Sequence, residues 1–182
     1  MNVKTISRSV LGGLLSAIVI IQPSFAAGTL SGQIGVQLTL GSGCRVSNGS
    51  REGELNKWGN ISFGAYGDLA NSIDAGMVGS GGATAVSIAC TAALQSTLTL
   101  DGGQQGSSTL RYMKNTADSE LIAYRLYSDV GRNSEILPDG SIAITGTGSP
   151  QEIPIFARIR PEDQDTPTAG NYSDIVTATL TW

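Results

Sequence analysis

From Leu30 to Leu40 the chain alternates: Leu30, Ile34, Val36, Leu38 and Leu40 share one parity, and Ser31, Gln33, Gln37 and Thr39 share the other. A period of two is the pattern of a half-buried β-strand. In strand geometry the stretch spans about 36 Å at roughly 3.3 Å per residue, well beyond the usual strand. A domain of this size has no need of so long a first strand. The excess ahead of Cys44 therefore reads as an arm able to pair with something outside its own fold.

The segment before the arm is set aside. Lys4 and Arg8 give a basic start, Val10 to Ile21 is apolar except at Gly12, Gly13 and Ser16, and Ser24-Phe25-Ala26 offers small residues where a signal peptidase reads. The apolar run is short for a bilayer span, so residues 1–26 are expected to be a signal peptide cleaved after Ala26. Taking Lys4 and Arg8 from the eleven basic residues leaves nine against fifteen acidic ones, which deepens the formal charge of −4. No basic patch for nucleic acid is available.

Export places Cys44 and Cys90 in an oxidising compartment, where two cysteines most simply form one disulfide. Such a bridge contributes about 2–4 kcal/mol. Two cysteines without any histidine make an incomplete zinc set, and no metal is expected.

The rest of the chain is a series of short β patterns between turn residues, with almost no helical periodicity. Strands are expected around Ile61-Ser62-Phe63, over Ala83–Thr91 with Val86, Ile88 and Cys90 inward, and over Ser96–Leu100 up to the Asp101-Gly102-Gly103 turn. Leu121–Tyr127 follows, with Ile122, Tyr124 and Leu126 as its more apolar face, and then Ser141–Thr145 after the Pro138-Asp139-Gly140 turn. Ile153, Ile155, Ala157 and Ile159 share a parity across one strand, with Pro154 on the opposite parity, where an edge or strand start tolerates it best. In the last strand, Tyr172, Val176, Ala178, Leu180 and Trp182 share a face opposite Thr177, Thr179 and Thr181. Seven or so strands at these spacings suit an all-β sandwich.

Several features take an ordinary reading. Glu162, Asp163 and Asp165 lack the glycine and ligand spacing of a calcium loop and read as a solvated acidic loop. Gly79 to Gly82 and Gly102-Gly103 have no following helix or placed lysine, so they are loops and not phosphate cradles. Trp58 and Tyr66 are expected to pack at the sandwich end rather than stack on a sugar. Without histidine there is no usual general base, and the two cysteines serve better as a bridge than as a nucleophile. No enzyme activity and no cofactor are expected.

Taken in order, several segments carry a family resemblance. They are the arm leading to Leu40-Gly41-Ser42-Gly43-Cys44-Arg45-Val46, Ile61-Ser62-Phe63-Gly64, Val86-Ser87-Ile88-Ala89-Cys90, Lys114-Asn115-Thr116-Ala117, Ile122-Ala123-Tyr124-Arg125-Leu126-Tyr127, Ile153-Pro154-Ile155-Phe156-Ala157, and the stretch from Ala169 to Trp182. The chain resembles the spore coat protein U domain, the domain of archaic (Csu-type) chaperone-usher pilus subunits.

The resemblance implies an incomplete immunoglobulin-like β-sandwich, its groove completed by a donor strand from a neighbouring subunit or a chaperone. It divides the chain into a signal peptide (1–26), an N-terminal donor-strand extension (27–37) and a spore coat protein U domain (38–182). Leu30, Gly32, Ile34, Val36 and Leu38 become the donor set, although Leu38, like Leu40, fits better in the domain's own first strand. Tyr172, Val176, Ala178, Leu180 and Trp182 become the C-terminal strand that borders the groove. If Leu30, Ile34, Val36 and Leu38 each gain about 1.5–3 kcal/mol on burial, the arm contributes on the order of 6–12 kcal/mol before ordering costs.

The implied partners are a periplasmic chaperone, an outer-membrane usher and identical or homologous subunits. The implied place is a pilus on the cell surface, serving adhesion and biofilm formation. The alternative is a secreted spore-coat-like or carbohydrate-binding surface protein that no usher assembles.

Overall fold

The computed structural model of the chain describes residues 31, 33–47, 50–52, 55–79 and 82–182. The expected signal peptide, with Leu30 and Gly32 of the donor set, lies outside the described residues. The chain divides into two units, residues 1–39 and 40–182. Of the first, the described residues belong to no strand, and Ile34, Val36 and Leu38 are exposed.

The second unit is all-β. In chain order its strands are β1 (Cys44–Val46), β2 (Ser50–Glu52), β3 (Leu55–Lys57), β4 (Gly59–Ile61), β5 (Ile73–Gly79), β6 (Val86–Cys90), β7 (Gln95–Leu100) and β8 (Arg111–Asn115). They continue with β9 (Leu121–Tyr127), β10 (Glu135–Ile136), β11 (Gly140–Thr145), β12 (Pro150–Ile153), β13 (Phe156–Ile159), β14 (Tyr172–Ser173) and β15 (Ala178–Thr181). A 3-10 turn, Pro161–Asp163, follows β13.

Two passages of the chain organise the unit. β5, β6 and β7 follow one another, and β13, β12 and β11 pair antiparallel with them in turn. At each break the passages bend and the ladder resumes. One bend is the turn closed by Leu94 N–H on Thr91 O at 3.1 Å, where Ala93 adopts a positive φ of 63°. On the far side of β5, β6 and β7 lie β4, β1 and β15 respectively. β9 pairs with the outer side of β13, β8 with β9, and β14 with β8. β10 also pairs with β9, and β2 and β3 form a separate hairpin.

Alternation along these strands builds one core. Ile73 and Met77 of β5, Val86, Ile88 and Cys90 of β6, Leu98 and Leu100 of β7 and Ile144 of β11 meet Ile122, Tyr124 and Leu126 of β9. The apolar face expected for Leu121–Tyr127 is thus inward, but Ala123 and Tyr127 on the other face are buried too. Residues after β13 cover them: the Gln164 amide donates to Ala123 O at 2.9 Å and accepts from Ala123 N–H at 3.0 Å, and Arg160 donates to the Tyr127 hydroxyl at 2.8 Å.

The structure corrects the sequence reading in several places. Of the long first strand expected from Leu30, the described residues ahead of Cys44 form no strand, and Leu38 and Leu40, expected there, are exposed. Ile153–Ile159 is two strands, because Pro154, which has no N–H to donate, stands where the chain passes from the β6 ladder to the β5 ladder. Tyr172–Trp182 likewise splits into β14 on β8 and β15 on β7. Strand β5 had no counterpart in the expectation. Asp163 is no solvated carboxylate: it binds Arg125 at 2.6 Å, and that same guanidinium holds Glu135 at 2.9 Å. Trp58 packs against the core as expected, whereas Tyr66 is exposed.

Candidate functional site

The geometry of greatest consequence is the edge made by β1 and β15. Both lie on the same side of the β6–β7 passage, β1 against β6 and β15 against β7. β1 starts where β15 ends: a Cβ on Gly43 would lie 3.8 Å from Trp182 Nε1. Beyond β1 and β15 no further strand pairs among the described residues.

Hydrogen bonds fix which backbone groups face outward. Asp101 N–H donates to Thr177 O at 3.0 Å, so Thr177 and Asp101 are a hydrogen-bonded pair at the head of the β7–β15 ladder. Residues directly opposite alternate between pairs that exchange hydrogen bonds and pairs whose polar groups point away. Thr179 and Thr181 therefore face β7, while the N–H and C=O of Ala178 and Leu180 point to the open edge. In β1, Thr91 N–H donates to Gly43 O at 3.0 Å and Ser47 N–H to Ser87 O at 2.7 Å, so Cys44 and Val46 are the residues that point outward.

The side chains tell the same story. Ile88, Cys90, Leu98 and Leu100 are buried on β6 and β7, whereas Cys44, Val46, Val176, Ala178 and Leu180 pack against that core only partly covered. A core one strand short of closure has this profile: unpaired backbone beside half-covered apolar groups.

A polar node holds β15 at its entry. Asp101 Oδ1 accepts from Thr177 N–H at 2.8 Å and Gly103 N–H at 2.9 Å. Burial alone raises the Asp101 pKa, but these hydrogen bonds outweigh it and hold the carboxyl below its ordinary value. Asp174 accepts from the Tyr124 hydroxyl at 2.6 Å and from Gln104 N–H at 2.8 Å. Burial, and then that carboxylate, push the Tyr124 pKa well up. Beneath them Arg111, only 1% exposed, donates to the carbonyls of Leu100, Asp101, Ile136 and Leu137.

The expected site residues fall unequally. Cys44 and Cys90 form a disulfide between directly opposed residues, with Cα atoms 4.0 Å apart. Ile34, Val36 and Leu38 are 91%, 89% and 88% exposed. Of the groove-edge set, Ala178 and Leu180 lie in β15 and Val176 leads into it, Tyr172 belongs to β14, and Trp182 follows β15 with 60% exposure. Sequence reasoning missed Asp101, Arg111, Tyr124 and Asp174. Its one signal was the Asp101-Gly102-Gly103 turn, read only as the end of a strand. A shallow cavity of about 340 Å³ lies over the disulfide, lined by Leu40, Arg45 and Pro150 among others. Among the described residues no set of three or more metal-ligating side chains comes together.

The chain matches known proteins along most of its length. A family model of the Spore Coat Protein U domain matches residues 30–179. Protein U of Myxococcus xanthus is 27% identical over 180 residues, covering 92% of each chain. A chain in the crystal structure of a chaperone–tip adhesion subunit pre-assembly complex from archaic chaperone-usher Csu pili of Acinetobacter baumannii aligns at 18% identity and a TM-score of 0.49, over 79% of this chain and 40% of that one. A chain from a chaperone–tip adhesin complex of CFA/I fimbriae biogenesis aligns at 16% identity and a TM-score of 0.40, over 68% of this chain and 41% of that one. The present chain thus spans less than half the length of either of these two.

Proposed function

The chain belongs to the spore coat protein U domain family, and from that membership and its open edge we propose that it is a structural subunit of an archaic chaperone-usher pilus. Residues 1–26 direct export, residues 27–37 form the donor extension, and residues 38–182 form the pilin domain. The observation that carries the reading is β15: among the described residues it is paired on one side only, with outward backbone groups at Ala178 and Leu180 and half-covered apolar side chains beneath. An incoming strand supplies the missing hydrogen bonds and covers the apolar groups in one step.

In this reading a periplasmic chaperone supplies that strand first, and the arm of the next subunit replaces it at an outer-membrane usher. The donor side chains are Leu30, Ile34, Val36 and Leu38, with Gly32 where the groove is shallow or crowded. Exposed apolar groups along the arm fit a segment whose burial waits for a neighbour. Assembly then completes a fold and needs no nucleotide. The product is a surface fibre for adhesion and biofilm formation.

The test is export of the full chain with and without a cognate periplasmic chaperone. A stable one-to-one complex, with little soluble subunit in its absence, supports the reading. A subunit that stays folded and monomeric unaided contradicts it. The Spore Coat Protein U description of the matching family favours a second reading, a spore-coat-like surface protein assembled without an usher. Surface display that persists when the usher is deleted selects it.

A further inference from the structure

Cys44 and Cys90 are joined, yet the two residues stand in different surroundings. Cys90 is 3% exposed and belongs to the core, on the inward face of β6. Cys44 opens the edge strand β1 and is only partly covered. The cavity of about 340 Å³ opens onto this pair, and Gly41, Gly43 and Gly148 in its wall bring no side chain to fill it. Among the described residues that line it, Arg45 carries the charge.

The buried sulfur has a partner of its own. Ser96 of β7, 4% exposed, holds its hydroxyl 3.5 Å from Cys90 Sγ and 3.3 Å from Ile144 O. That hydroxyl has one proton for two acceptors. Once the bridge opens, a Cys90 thiolate is the stronger acceptor and draws the proton to itself. Burial in apolar surroundings disfavours a thiolate, and the hydroxyl offsets part of that cost. In thiol–disulfide exchange, access selects the sulfur that is attacked, and the better thiolate leaves. Both considerations point the same way, to attack at Cys44 and departure of Cys90.

We infer that this cavity is an exchange site for a small anionic thiol, which enters at Cys44 beside Arg45, and that Cys90, held by Ser96, is the leaving and resolving sulfur. In the opening direction the external thiolate bonds to Cys44 Sγ as the Cys44–Cys90 bond breaks, giving a mixed disulfide and a Cys90 thiolate. A second external thiolate attacks the sulfur of the first, so that an external disulfide forms and Cys44 is released. Two electrons pass from the external thiols to the bridge, and their two protons reach the cysteines through water. Closure runs the same steps backwards. The exchange is read on a single chain, so it and the assembly proposed above can fail separately.

The test presents glutathione disulfide to the folded full chain. Cys90→Ala, which keeps Cys44, is expected to gain the mixed disulfide about tenfold or more faster than Cys44→Ala by mass spectrometry. Should either variant fail to fold, the unaltered chain decides: reduced glutathione, an acid quench and peptide mapping then place the adduct on Cys44. Ser96→Ala slows opening about threefold or more and moves the pH midpoint of closure upward, and Ser96→Thr, which keeps the hydroxyl, restores both. Arg45→Glu slows the adduct with glutathione disulfide severalfold but leaves that with uncharged hydroxyethyl disulfide within about twofold. Equal rates at the two cysteines, an adduct on Cys90, or indifference to both Ser96→Ala and Arg45→Glu overturns the inference.

Discussion

Arg111 gathers four side-chain hydrogen bonds in the interior. A buried guanidinium with no carboxylate bonded to it is unusual, and here its charge is spread over four carbonyls, with the Asp101 and Asp174 carboxylates nearby. Arg111→Met removes every one of those donors and leaves the carbonyls buried. We expect a loss of about 3 kcal/mol or more in urea titration. Asp101→Ala, which strips the two N–H groups of their acceptor, is expected to cost about 1–3 kcal/mol, and Asp101→Asn, which keeps an oxygen there, less. The carboxylates also set the acid response. Arg125 holds Asp163 below its usual range, Arg158 does the same for Asp74, and Asp101 is held down by its hydrogen bonds. A depressed folded-state pKa gives stability that is present above the unfolded value, near 3.9, and lost as pH falls through the folded one. The melting temperature should be level from pH 8 to about 5, with no histidine to produce a step, and should drop below about pH 4.

Among the strands, β15 makes the sharpest prediction because its two backbone faces do different work. Ala178→Pro removes an N–H that points outward, which an edge strand tolerates, whereas Thr179→Pro removes one bonded to β7. Circular dichroism should find Ala178→Pro folded but unable to assemble, and Thr179→Pro destabilised. The same strand marks how far the sequence could be read. Alternation reported the inward face at Tyr172, Val176, Ala178 and Leu180, all partly buried against the core, but not at Trp182, which is exposed. It could not report a change of partner, because a period of two encodes a face and not a neighbour. Ile153–Ile159 was read as one strand for the same reason. β5 escaped notice because its inward positions include Ala75 and Gly79 while Val78 points outward, which flattens the contrast. The Asp101–Asp174 node was illegible for a different reason: its members are far apart in the chain and meet only once β7, β9 and the C-terminal segment are in place.

For the whole molecule, the disulfide and the open edge act together. Cys44–Cys90 ties β1 to β6 at the point where β1 gives way to β15, so it secures one end of the edge that β15 continues. Replacing both cysteines by serine is expected to lower stability by about 2–4 kcal/mol and to reduce the yield of exported subunit, read by immunoblot under oxidising conditions. The central claim concerns two surfaces on one chain, an arm that donates and an edge that accepts. The most direct test mixes the full chain with a chain lacking residues 27–36 and measures fibre length by electron microscopy. The shortened chain can accept a neighbour's arm but offers none, so fibres should shorten steadily as its fraction rises. Fibres of unchanged length at every ratio, with the shortened chain incorporated along them, would contradict the account.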